Sequence, residues 1–297
     1  MHNTIFITGF SGFVGGKLLK YFENIFFFSK YEKGSSVCIN QKVVIHLAGK
    51  AHDLKNTSSA NDYYKVNTDL SQRVFDAFLV SKAVVFITLS SVKSVADVVE
   101  NVLTEEVLPN PITHYGKSKL LAEQYILSKE IPKGKRVYIL RPCMIHGPGN
   151  KGNLNLLYSL VSKGLPWPLG LFENSRSYLS IENLSFIIKE LIDREDIPSG
   201  VYNVADDLPL STNEIIKMIA ESNGRKATIL NLNKSFLKVL ARVGDSLKLP
   251  LNSERLQKLT ENYVVSNAKI KAALGKPLPL SSKEGLMKTF QSFSSNV

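Results

Sequence analysis

Tyr115 and Lys119 are four residues apart, a spacing that places two side chains on one face of a helix. A lysine ammonium beside a tyrosine favours the phenolate, so this pair predicts a tyrosine of lowered pKa that acts as a general acid/base near neutral pH. Tyr125 and Lys129 repeat the spacing. Ten residues along a helix correspond to a rotation of roughly 280°, so we expect this second pair to face elsewhere, on the surface.

Ser91 distinguishes the two pairs because it follows Val84–Leu89, an apolar segment that predicts a buried strand. Open parallel sheets bind ligands at the carboxyl ends of their strands. We therefore expect the Ser91 hydroxyl at that edge, where it can hydrogen-bond the substrate oxygen that Tyr115 protonates. The sequence predicts Ser91, Tyr115 and Lys119 as the catalytic residues, with Ser90 as the neighbour most easily mistaken for Ser91.

A glycine-rich turn lies near the N-terminus, where Gly9, Gly12 and Gly15 are spaced as G-x-x-G-x-x-G. The turn connects a predicted strand, Thr4–Thr8, to a predicted helix, Phe13–Phe22. Glycine lets the backbone approach a pyrophosphate closely, and the following helix N-terminus offers free N–H donors and a positive dipole end. This context predicts a dinucleotide-binding turn.

The residues after the second predicted strand bear on the choice between NAD and NADP. The acidic residue that usually binds the adenosine ribose there is missing, and Ser29, Lys30 and Tyr31 take its place. Lys30 can accommodate a 2′-phosphate, so both NAD and NADP are admissible cofactors; the alternative is a solvated loop lysine. Only 14 residues separate Phe28 from Val43, which predicts a shortened crossover.

Strands and helices alternate through the first half of the chain, which predicts an α/β fold with a Rossmann-type doubly wound parallel sheet. The other predicted elements of this half are Ile25–Phe28, Val43–Leu47, Asp62–Leu79, His114–Ser128 and Val137–Leu140. After Pro142 glycine and proline cluster, and helices are predicted at Leu154–Lys163, Ile181–Arg194 and Thr212–Asn223. We expect a dinucleotide-binding domain over 1–150 and a smaller substrate-binding lobe over 151–297, with some elements crossing back.

Composition narrows the class of protein. Hydrophobic residues make up 44% and charged residues 21% of the 297 residues, which is typical of a globular protein, and no apolar run is long enough for a membrane helix. The net charge of +11 is spread over scattered lysines, so a nucleic-acid partner is not expected. Two cysteines and five histidines show no disulfide or metal-ligand spacing. His46 is interpreted as structural, and the location as cytoplasmic.

Five sequence blocks stand in an order typical of a known family. They are Thr8-Gly9 with Gly12-Phe13 and Gly15, His46-Leu47-Ala48-Gly49, Ser90-Ser91, Tyr115-Gly116-Lys117-Ser118-Lys119, and Arg141-Pro142 with Gly147-Pro148-Gly149. Together they resemble the extended short-chain dehydrogenases/reductases, and most closely the NAD-dependent epimerase/dehydratase family that acts on sugar nucleotides. The resemblance covers nearly the whole chain, to about Leu274-Gly275.

Three later segments are similar to one branch of that family, which contains UDP-N-acetylquinovosamine dehydrogenases and UDP-glucose 4-epimerase-like enzymes of bacterial polysaccharide synthesis. These segments are Gly152-Asn153-Leu154, Gly164-Leu165-Pro166-Trp167-Pro168-Leu169-Gly170 and Asn174-Ser175-Arg176-Ser177. In this family, helices equivalent to Asp62–Leu79 and His114–Ser128 often pair across a two-fold axis. The resemblance therefore also implies a homodimer.

The resemblance implies two sets of binding residues. Those for the cofactor are Thr8, Gly9, Ser11, Gly12, Phe13, Val14, Gly15, Lys30, Leu47, Ala48, Gly49, Asn67, Ser90, Tyr115, Lys119, Arg141 and Pro142. Those for the substrate are Ser91, Lys93, Tyr115, Asn153, Trp167 and Arg176. Arg176 would grip the pyrophosphate, and Asn67 would support the central helix and the waters of the active site. The alternatives are a surface arginine, an ordinary polar helix residue for Asn67, and core packing for Trp167.

The implied activity is oxidoreduction at C4 of a UDP-(N-acetyl)hexose with NAD or NADP. A 4-ketoreductase is the first interpretation and a 4-epimerase with tightly bound NAD the second. A 4,6-dehydratase ranks third, because Val92 and Lys93 stand after Ser91 where a carboxylate would be needed. A non-catalytic dinucleotide sensor is the alternative of another class, and loss of Tyr115 or Lys119 would have indicated it.

Overall fold

The structure is a computed structural model that describes residues 4–23, 27–30, 34, 36–50, 59–150, 152–247 and 252–294. The strands in this part of the chain are β1 (Thr4–Thr8), β2 (Phe27–Lys30), β3 (Val43–His46), β4 (Val85–Leu89), β5 (Val102–Leu103), β6 (Arg136–Pro142), β7 (Met144–His146), β8 (Tyr178–Ser180), β9 (Gly200–Val204) and β10 (Val264–Val265). The helices are α1 (Phe13–Phe22), α2 (Ala60–Tyr63), α3 (Leu70–Val80), α4 (His114–Leu127), α5 (Asn153–Ser162), α6 (Ile181–Asp193), α7 (Thr212–Ser222), α8 (Lys234–Leu247), α9 (Ser253–Thr260), α10 (Ala268–Leu274) and α11 (Ser282–Ser294).

Six parallel strands form the central sheet, in the order β2-β1-β3-β4-β6-β9. Helices cover both faces of this sheet, so most strand residues are apolar and do not alternate between apolar and polar types. The predicted α/β fold with a doubly wound parallel sheet is confirmed. In the crossover from β2 to β3, the described residues 34 and 36–42 form neither helix nor strand, as the short length predicts.

Successive residues of β1 enter opposite sides of the sheet and so two different parts of the core. Ile5 and Ile7 pack on the side of α1 and α6, whereas Phe6 packs with Phe75 and Phe86 on the side of α3 and α4. All five side chains are at most 4% exposed. The sheet edge that carries the carboxyl ends of the strands is therefore held between two rigid layers of helices.

The predicted helix Asp62–Leu79 begins earlier than expected and is not uniform. The Ser59 side chain caps it by accepting a hydrogen bond from the Asp62 N–H, so the helix starts at Ala60. A π-helical turn, Tyr64–Asp69, then separates α2 from α3. Such turns are rare and often mark functional sites, and this one carries Asn67.

The second strand also differs from the prediction. Ile25–Phe28 was expected, and the structure has Phe27–Lys30, with Ile25 outside the described residues. The strand continues to Lys30 because it pairs with β1, whose Ile7 lies opposite Lys30. Lys30 is thus the last residue of a strand rather than a loop residue.

The second lobe has its own core, centred on Leu169, Ile215, Ile219, Leu286 and Phe290. The predicted division at residue 150 stays a prediction. Two elements after this residue pack with the first lobe: α6 contacts α1, and β9 is the last strand of the central sheet. Two short parallel pairs, β7 with β8 and β5 with β10, lie outside that sheet. Within the described ranges, no helix is both long and apolar enough to span a bilayer.

Candidate active site

The glycine turn lies between the end of β1 and the start of α1. Gly9 adopts a φ of +70°, and a Cβ there would lie 2.5 Å from the Ala48 nitrogen. A Cβ on Gly15 would lie 2.3 Å from the Gly9 carbonyl oxygen. Both positions require glycine because backbone segments of the protein itself come too close for a side chain.

Gly12 differs, because its missing side chain leaves space on the outside of the turn. A Cβ there would meet only the Gly9 carbonyl oxygen, at 3.4 Å, and Ser11 and Gly12 are exposed. Gly12 is also the N-cap of α1 and supplies no side-chain hydrogen bond to the first turn. The N–H groups of that turn thus suit the pyrophosphate of a dinucleotide, and the residues present fit the predicted cofactor.

The ends of β1 and β3 are tied together by buried side chains. His46 lies 2.7 Å through Nδ1 from the Thr8 hydroxyl oxygen and 2.9 Å through Nε2 from that of Ser71. Burial, with a smaller contribution from the Lys119 charge, lowers the pKa of His46 to about 3, so the ring is neutral. The Thr8 hydroxyl also accepts a hydrogen bond from the Ala48 N–H. Thr8 was expected at the cofactor, but these partners give its side chain a role in fixing the strand ends.

Ser91 and Tyr115 meet at the carboxyl end of β4. Ser91 caps a 3₁₀ turn, Val92–Ser94, where its Oγ accepts from the Lys93 N–H at 3.2 Å, and its side chain lies close enough to Tyr115 to act on the pKa of the phenol. Gly116 makes this approach possible, because a Cβ on it would lie 2.3 Å from the Lys93 carbonyl oxygen. The first turn of α4 is thereby held directly against the turn that carries Ser91.

The pKa of Tyr115 departs from the expectation. Burial raises it above its ordinary value, the Ser91 side chain acts in the opposite direction, and Tyr63 raises it further. The sequence predicted a lowered pKa from the lysine four residues on. The net direction is upward because desolvation of the phenolate outweighs the favourable contacts, so Tyr115 is protonated near neutral pH.

Lys119 is buried below Tyr115 on the same face of α4. Its Nζ donates to the Leu89 carbonyl oxygen at 2.8 Å, and burial lowers its pKa to about 8, an effect that the Glu123 charge partly offsets. A Cβ on Gly49 would lie 3.0 Å from this Nζ. Gly49 thus leaves the space that the ammonium occupies between the ends of β3 and β4.

Asn67 holds the chain after β3 against α4. Its Oδ1 accepts from the Lys50 N–H at 2.7 Å, and its Nδ2 donates to the Lys50 carbonyl oxygen and to the Ser118 hydroxyl. The side chain is fully buried. Asn67 was predicted as a cofactor contact, and its amide forms hydrogen bonds within the protein. These bonds fix the backbone at Lys50, next to Gly49, relative to Ser118 of α4.

A buried carboxylate, Glu123, lies one further turn along α4 and was missed by sequence reasoning. It is 1% exposed and accepts hydrogen bonds from Ser90, Ser94 and the Arg141 guanidinium, whose Nη2 is 2.5 Å from Oε2. Its spacing of four residues from Lys119 was the available signal.

Ser90 and Arg141 were both predicted to contact the cofactor, and that contact stays a prediction, although their side chains have partners within the protein. The Ser90 hydroxyl and the Arg141 guanidinium point to Glu123 inside the protein. Both are at most 7% exposed. Pro142, the last residue of β6, is likewise buried. The cluster ties α4, the 3₁₀ turn after Ser91 and β6 into one unit behind the catalytic side chains.

Lys30 lies beside the glycine turn. Its Nζ is 5.2 Å from the centroid of the Phe10 ring, and the residue is exposed. Phe13 and Val14, at the start of α1, are half-buried. Leu47, half-buried like them, precedes Ala48. These residues border the same edge of the sheet, so the structure brings a cation close to the predicted dinucleotide turn.

Two predicted substrate residues, Arg176 and Lys93, lie close to one carboxylate. The Arg176 guanidinium donates to the Lys258 carbonyl oxygen and lies 3.6 Å from Glu261. Lys93 Nζ lies 4.0 Å from the centroid of the Tyr263 ring; burial lowers the pKa of Lys93, and the Glu261 charge offsets part of that shift. The Asp97 carboxylate also acts on Lys93, so Glu261 and Asp97 together balance much of the charge of the two cations, whose guanidinium and ammonium donors suit a diphosphate.

Trp167 was predicted to contact the substrate, with core packing as the alternative, and the structure gives it a buried position. It is 4% exposed in the core of the second lobe, and its indole N–H donates to Asn213 at 3.0 Å. Burial of the ring and pairing of its only donor favour the alternative of core packing, while contact with the substrate stays a prediction. Asn153 begins α5, and its side chain lies outside the described residues.

Comparison with known proteins decides the family. The model of the NAD dependent epimerase/dehydratase family matches residues 37–205, more than half of the chain. The chain belongs to this family. The prediction from the sequence is therefore confirmed, and the protein is an enzyme of the extended short-chain dehydrogenase/reductase type whose cofactor is a nicotinamide dinucleotide, NAD or NADP.

Two curated relatives of this epimerase/dehydratase family enzyme match most of its length. A UDP-glucose 4-epimerase from Vibrio cholerae is 31% identical over 261 residues, covering 86% of this chain and 77% of the relative. The N-acetyl-α-D-glucosaminyl-diphospho-ditrans,octacis-undecaprenol 4-epimerase of Escherichia coli O157:H7 is 25% identical over 254 residues, with 78% and 76% covered.

The fold of this family enzyme also matches solved structures. RMD from Pseudomonas aeruginosa, solved with NADPH, superposes with a TM-score of 0.76 at 21% identity and covers 100% of this chain and 99% of that one. At that identity, the likeness supports the fold.

Proposed function

We propose that the enzyme uses its dinucleotide to oxidise and reduce C4 of a UDP-linked hexose, with Ser91, Tyr115 and Lys119 as the catalytic residues. The observation that carries the proposal is that Ser91, at the carboxyl end of β4, and Tyr115, at the start of α4, lie close together, with Lys119 on the same face of α4. The substrate of the Vibrio cholerae relative, a UDP-hexose, supports the choice of substrate class.

The chemistry divides between the cofactor and the chain. When bound, the dinucleotide supplies the hydride acceptor and donor. When C4 is oxidised, the Tyr115 phenolate takes the proton of the C4 hydroxyl and becomes the neutral phenol, and when C4 is reduced, the phenol returns that proton. Ser91 hydrogen-bonds the same substrate oxygen, which fixes the reacting carbon in position. The Lys119 charge favours the tyrosinate, which oxidation of C4 requires and which reduction of C4 leaves behind.

The charged residues of the second lobe are proposed to bind the rest of the substrate. Arg176, with its planar guanidinium, suits a diphosphate oxygen pair, and Lys93 adds a second positive charge. Both would have to exchange part of their contact with Glu261 for the substrate. Asn153 is proposed to bind near the phosphates or the uridine.

Two reactions share this machinery. Epimerisation, in which the hydride returns to the other face of C4, is the first candidate, because both curated relatives described above are 4-epimerases. Ketoreduction, the first interpretation from the sequence, is the second candidate. The short crossover between β2 and β3 favours it, since a less enclosed adenosine side would let the cofactor exchange in each cycle.

Three finer features complete the proposal. Lys30 beside the glycine turn supports binding of NADP at least as strongly as NAD. A homodimer through α3 and α4 is proposed on the family resemblance. A cytoplasmic location stays a prediction from the sequence.

The reaction can be tested with purified enzyme, a panel of UDP-hexoses and each cofactor. An epimerase interconverts UDP-N-acetylglucosamine and UDP-N-acetylgalactosamine, or their glucose and galactose counterparts, without net change in reduced cofactor. A ketoreductase consumes NAD(P)H in equal amount with UDP-4-keto-6-deoxy-N-acetylglucosamine. The proposal fails if neither reaction occurs, or if Tyr115→Phe reacts as fast as the unaltered chain.

A further inference from the structure

Helix α8 exposes a continuous apolar stripe on the second lobe. The exposed residues, which we call the α8 stripe, are Phe236 (56%), Val239 (56%), Leu240 (41%), Val243 (46%) and Leu247 (65%). Their spacing of three and four residues places them on one side of the helix. A different side, with Leu237, Ala241 and Gly244, is buried against the lobe. The side chains of the stripe therefore do not take part in packing α8 against the lobe.

A row of basic residues lies on the exposed surface of α8 outside the stripe. Lys234, Lys238 and Arg242 are four residues apart and form one exposed row. The only acidic residue of α8, Asp245, is already engaged, because it accepts hydrogen bonds from Ser253. The polar side of α8 therefore carries a net positive charge.

The sequence around α8 has the same bias. Between Arg225 and Thr260, the basic residues are Arg225, Lys226, Lys234, Lys238, Arg242, Lys248, Arg255 and Lys258, and the acidic ones are only Asp245 and Glu254. The whole chain has a net charge of +11. This segment is thus a positive region of an already positive protein.

We propose that α8 docks the enzyme on the anionic surface of a lipid bilayer. A helix with apolar residues on one side and lysine and arginine on the other is the pattern of helices that lie in the membrane interface. The basic row is about one helix diameter, roughly 10 Å, from the stripe, which is within the Debye length at moderate salt. Negatively charged head groups therefore attract the helix while the stripe enters the acyl boundary.

Charge complementarity favours a bilayer over a second protein copy as the partner. A two-fold contact through the α8 stripe would bury its apolar side chains but leave the row of Lys234, Lys238 and Arg242, on the other side of each helix, without an anionic partner. No described carboxylate of α8 is free to offset that charge in such a contact. An anionic bilayer can bind both the apolar stripe, through its acyl chains, and the basic row, through its head groups.

The docked helix belongs to the substrate-binding side of the enzyme. It packs against α9, whose final turn provides the Lys258 carbonyl that accepts from Arg176. Docking would thus place the second lobe, with Arg176 and Glu261, against the membrane surface and leave the glycine turn in the other lobe. The proposal concerns where the enzyme works and does not depend on which sugar it converts.

Vesicle flotation tests the proposal with the full chain. We expect the chain to float with vesicles of phosphatidylglycerol and phosphatidylethanolamine and not with phosphatidylcholine alone. Phe236→Ser with Val243→Ser should lower the partition coefficient by about tenfold or more, because two apolar side chains no longer enter the interface. A matched control replaces two similarly exposed apolar residues elsewhere, Leu108→Ser with Ile112→Ser, and should leave binding unchanged.

Charge and folding are checked separately. Lys238→Glu with Arg242→Glu should weaken binding to the anionic vesicles and reduce its sensitivity to salt. Binding of NAD(P)H, measured by fluorescence, should be the same in all these variants, because the substituted side chains lie outside the glycine turn and the catalytic cluster. Absence of flotation for the unaltered chain would overturn the proposal. So would unchanged flotation of the stripe variant, or light scattering in which that variant converts a dimer to a monomer.

Discussion

Gly116→Ala tests whether the contact between two backbone segments sets the catalytic geometry. A Cβ at this position would lie 2.3 Å from the Lys93 carbonyl oxygen and 2.8 Å from Pro111 Cβ. Ordinary van der Waals contact begins at 3.4 Å. The start of α4 must therefore retreat by about 1 Å from the turn that carries Ser91, and Tyr115 moves with it.

The expected loss is in catalysis more than in stability. A displacement of about 1 Å between reacting groups can cost about 10²-fold in rate. Overpacking lowers the free energy of unfolding by about 1–3 kcal/mol, and the better helix propensity of alanine offsets about 1 kcal/mol of that loss. We therefore expect a folded protein whose kcat is about a hundredfold lower, with cofactor affinity nearly unchanged because the glycine turn is elsewhere.

The assay is turnover of the best UDP-hexose, with thermal unfolding followed by circular dichroism and cofactor affinity by fluorescence. Gly16→Ala is the matched control, because it is also a glycine of a helix and its Cβ would meet only the Phe10 carbonyl oxygen, at 3.9 Å. If Gly116→Ala kept the turnover of the control variant, the close approach would have no catalytic importance and the reasoning would be refuted.

Further substitutions test the remaining assignments. Tyr115→Phe should lower kcat by roughly 10²–10⁴-fold while Tyr125→Phe, whose hydroxyl donates to a surface carboxylate, stays near the unaltered rate; the reverse order in steady-state kinetics would contradict the assignment. Gly12→Val should fold normally and lose dinucleotide binding by steric block, and Lys30→Ala should weaken NADPH binding more than NADH binding in titrations. The pKa of His46 is lowered from 6.5 to about 3, so the unfolded chain binds the extra proton as pH falls below 6.5. Urea unfolding should therefore show a loss of about 2 kcal/mol by about pH 5, and His46→Gln should lose less. Light scattering at micromolar concentration should give the mass of a dimer, and a monomer would refute the proposed pairing of α3 and α4.

The sequence was sufficient to predict features that depend on local spacing. The turn Gly9–Gly15 follows a strand directly, and Tyr115 and Lys119 share a helix face, so their neighbourhood could be inferred without tertiary information. The place of Ser91 at a strand end was inferable for the same reason, since parallel strands end at one edge.

The sequence was insufficient to predict the contacts of polar side chains that can bind either a ligand or a buried partner within the protein. Arg141 and Ser90 have residue types that suit a cofactor, and only the packing of α4 against β6 shows that Glu123 takes both. The direction of the Tyr115 pKa shift also depended on burial, which the spacing from Lys119 does not reveal. Trp167 was ambiguous for the same reason, because an apolar ring fits a core as well as a pocket.

The ion pair of Glu123 and Arg141 limits how this chain can diverge. Replacing either partner alone leaves an uncompensated buried charge, at a cost of about 3–5 kcal/mol. That is a large part of the roughly 5–15 kcal/mol by which a domain is stable. Replacing both with apolar residues of similar volume can leave the stability unchanged. If the two substitutions occur one after the other, however, the protein with only the first of them is destabilised. We therefore expect the two positions to change together among descendants of this sequence, as an epistatic pair.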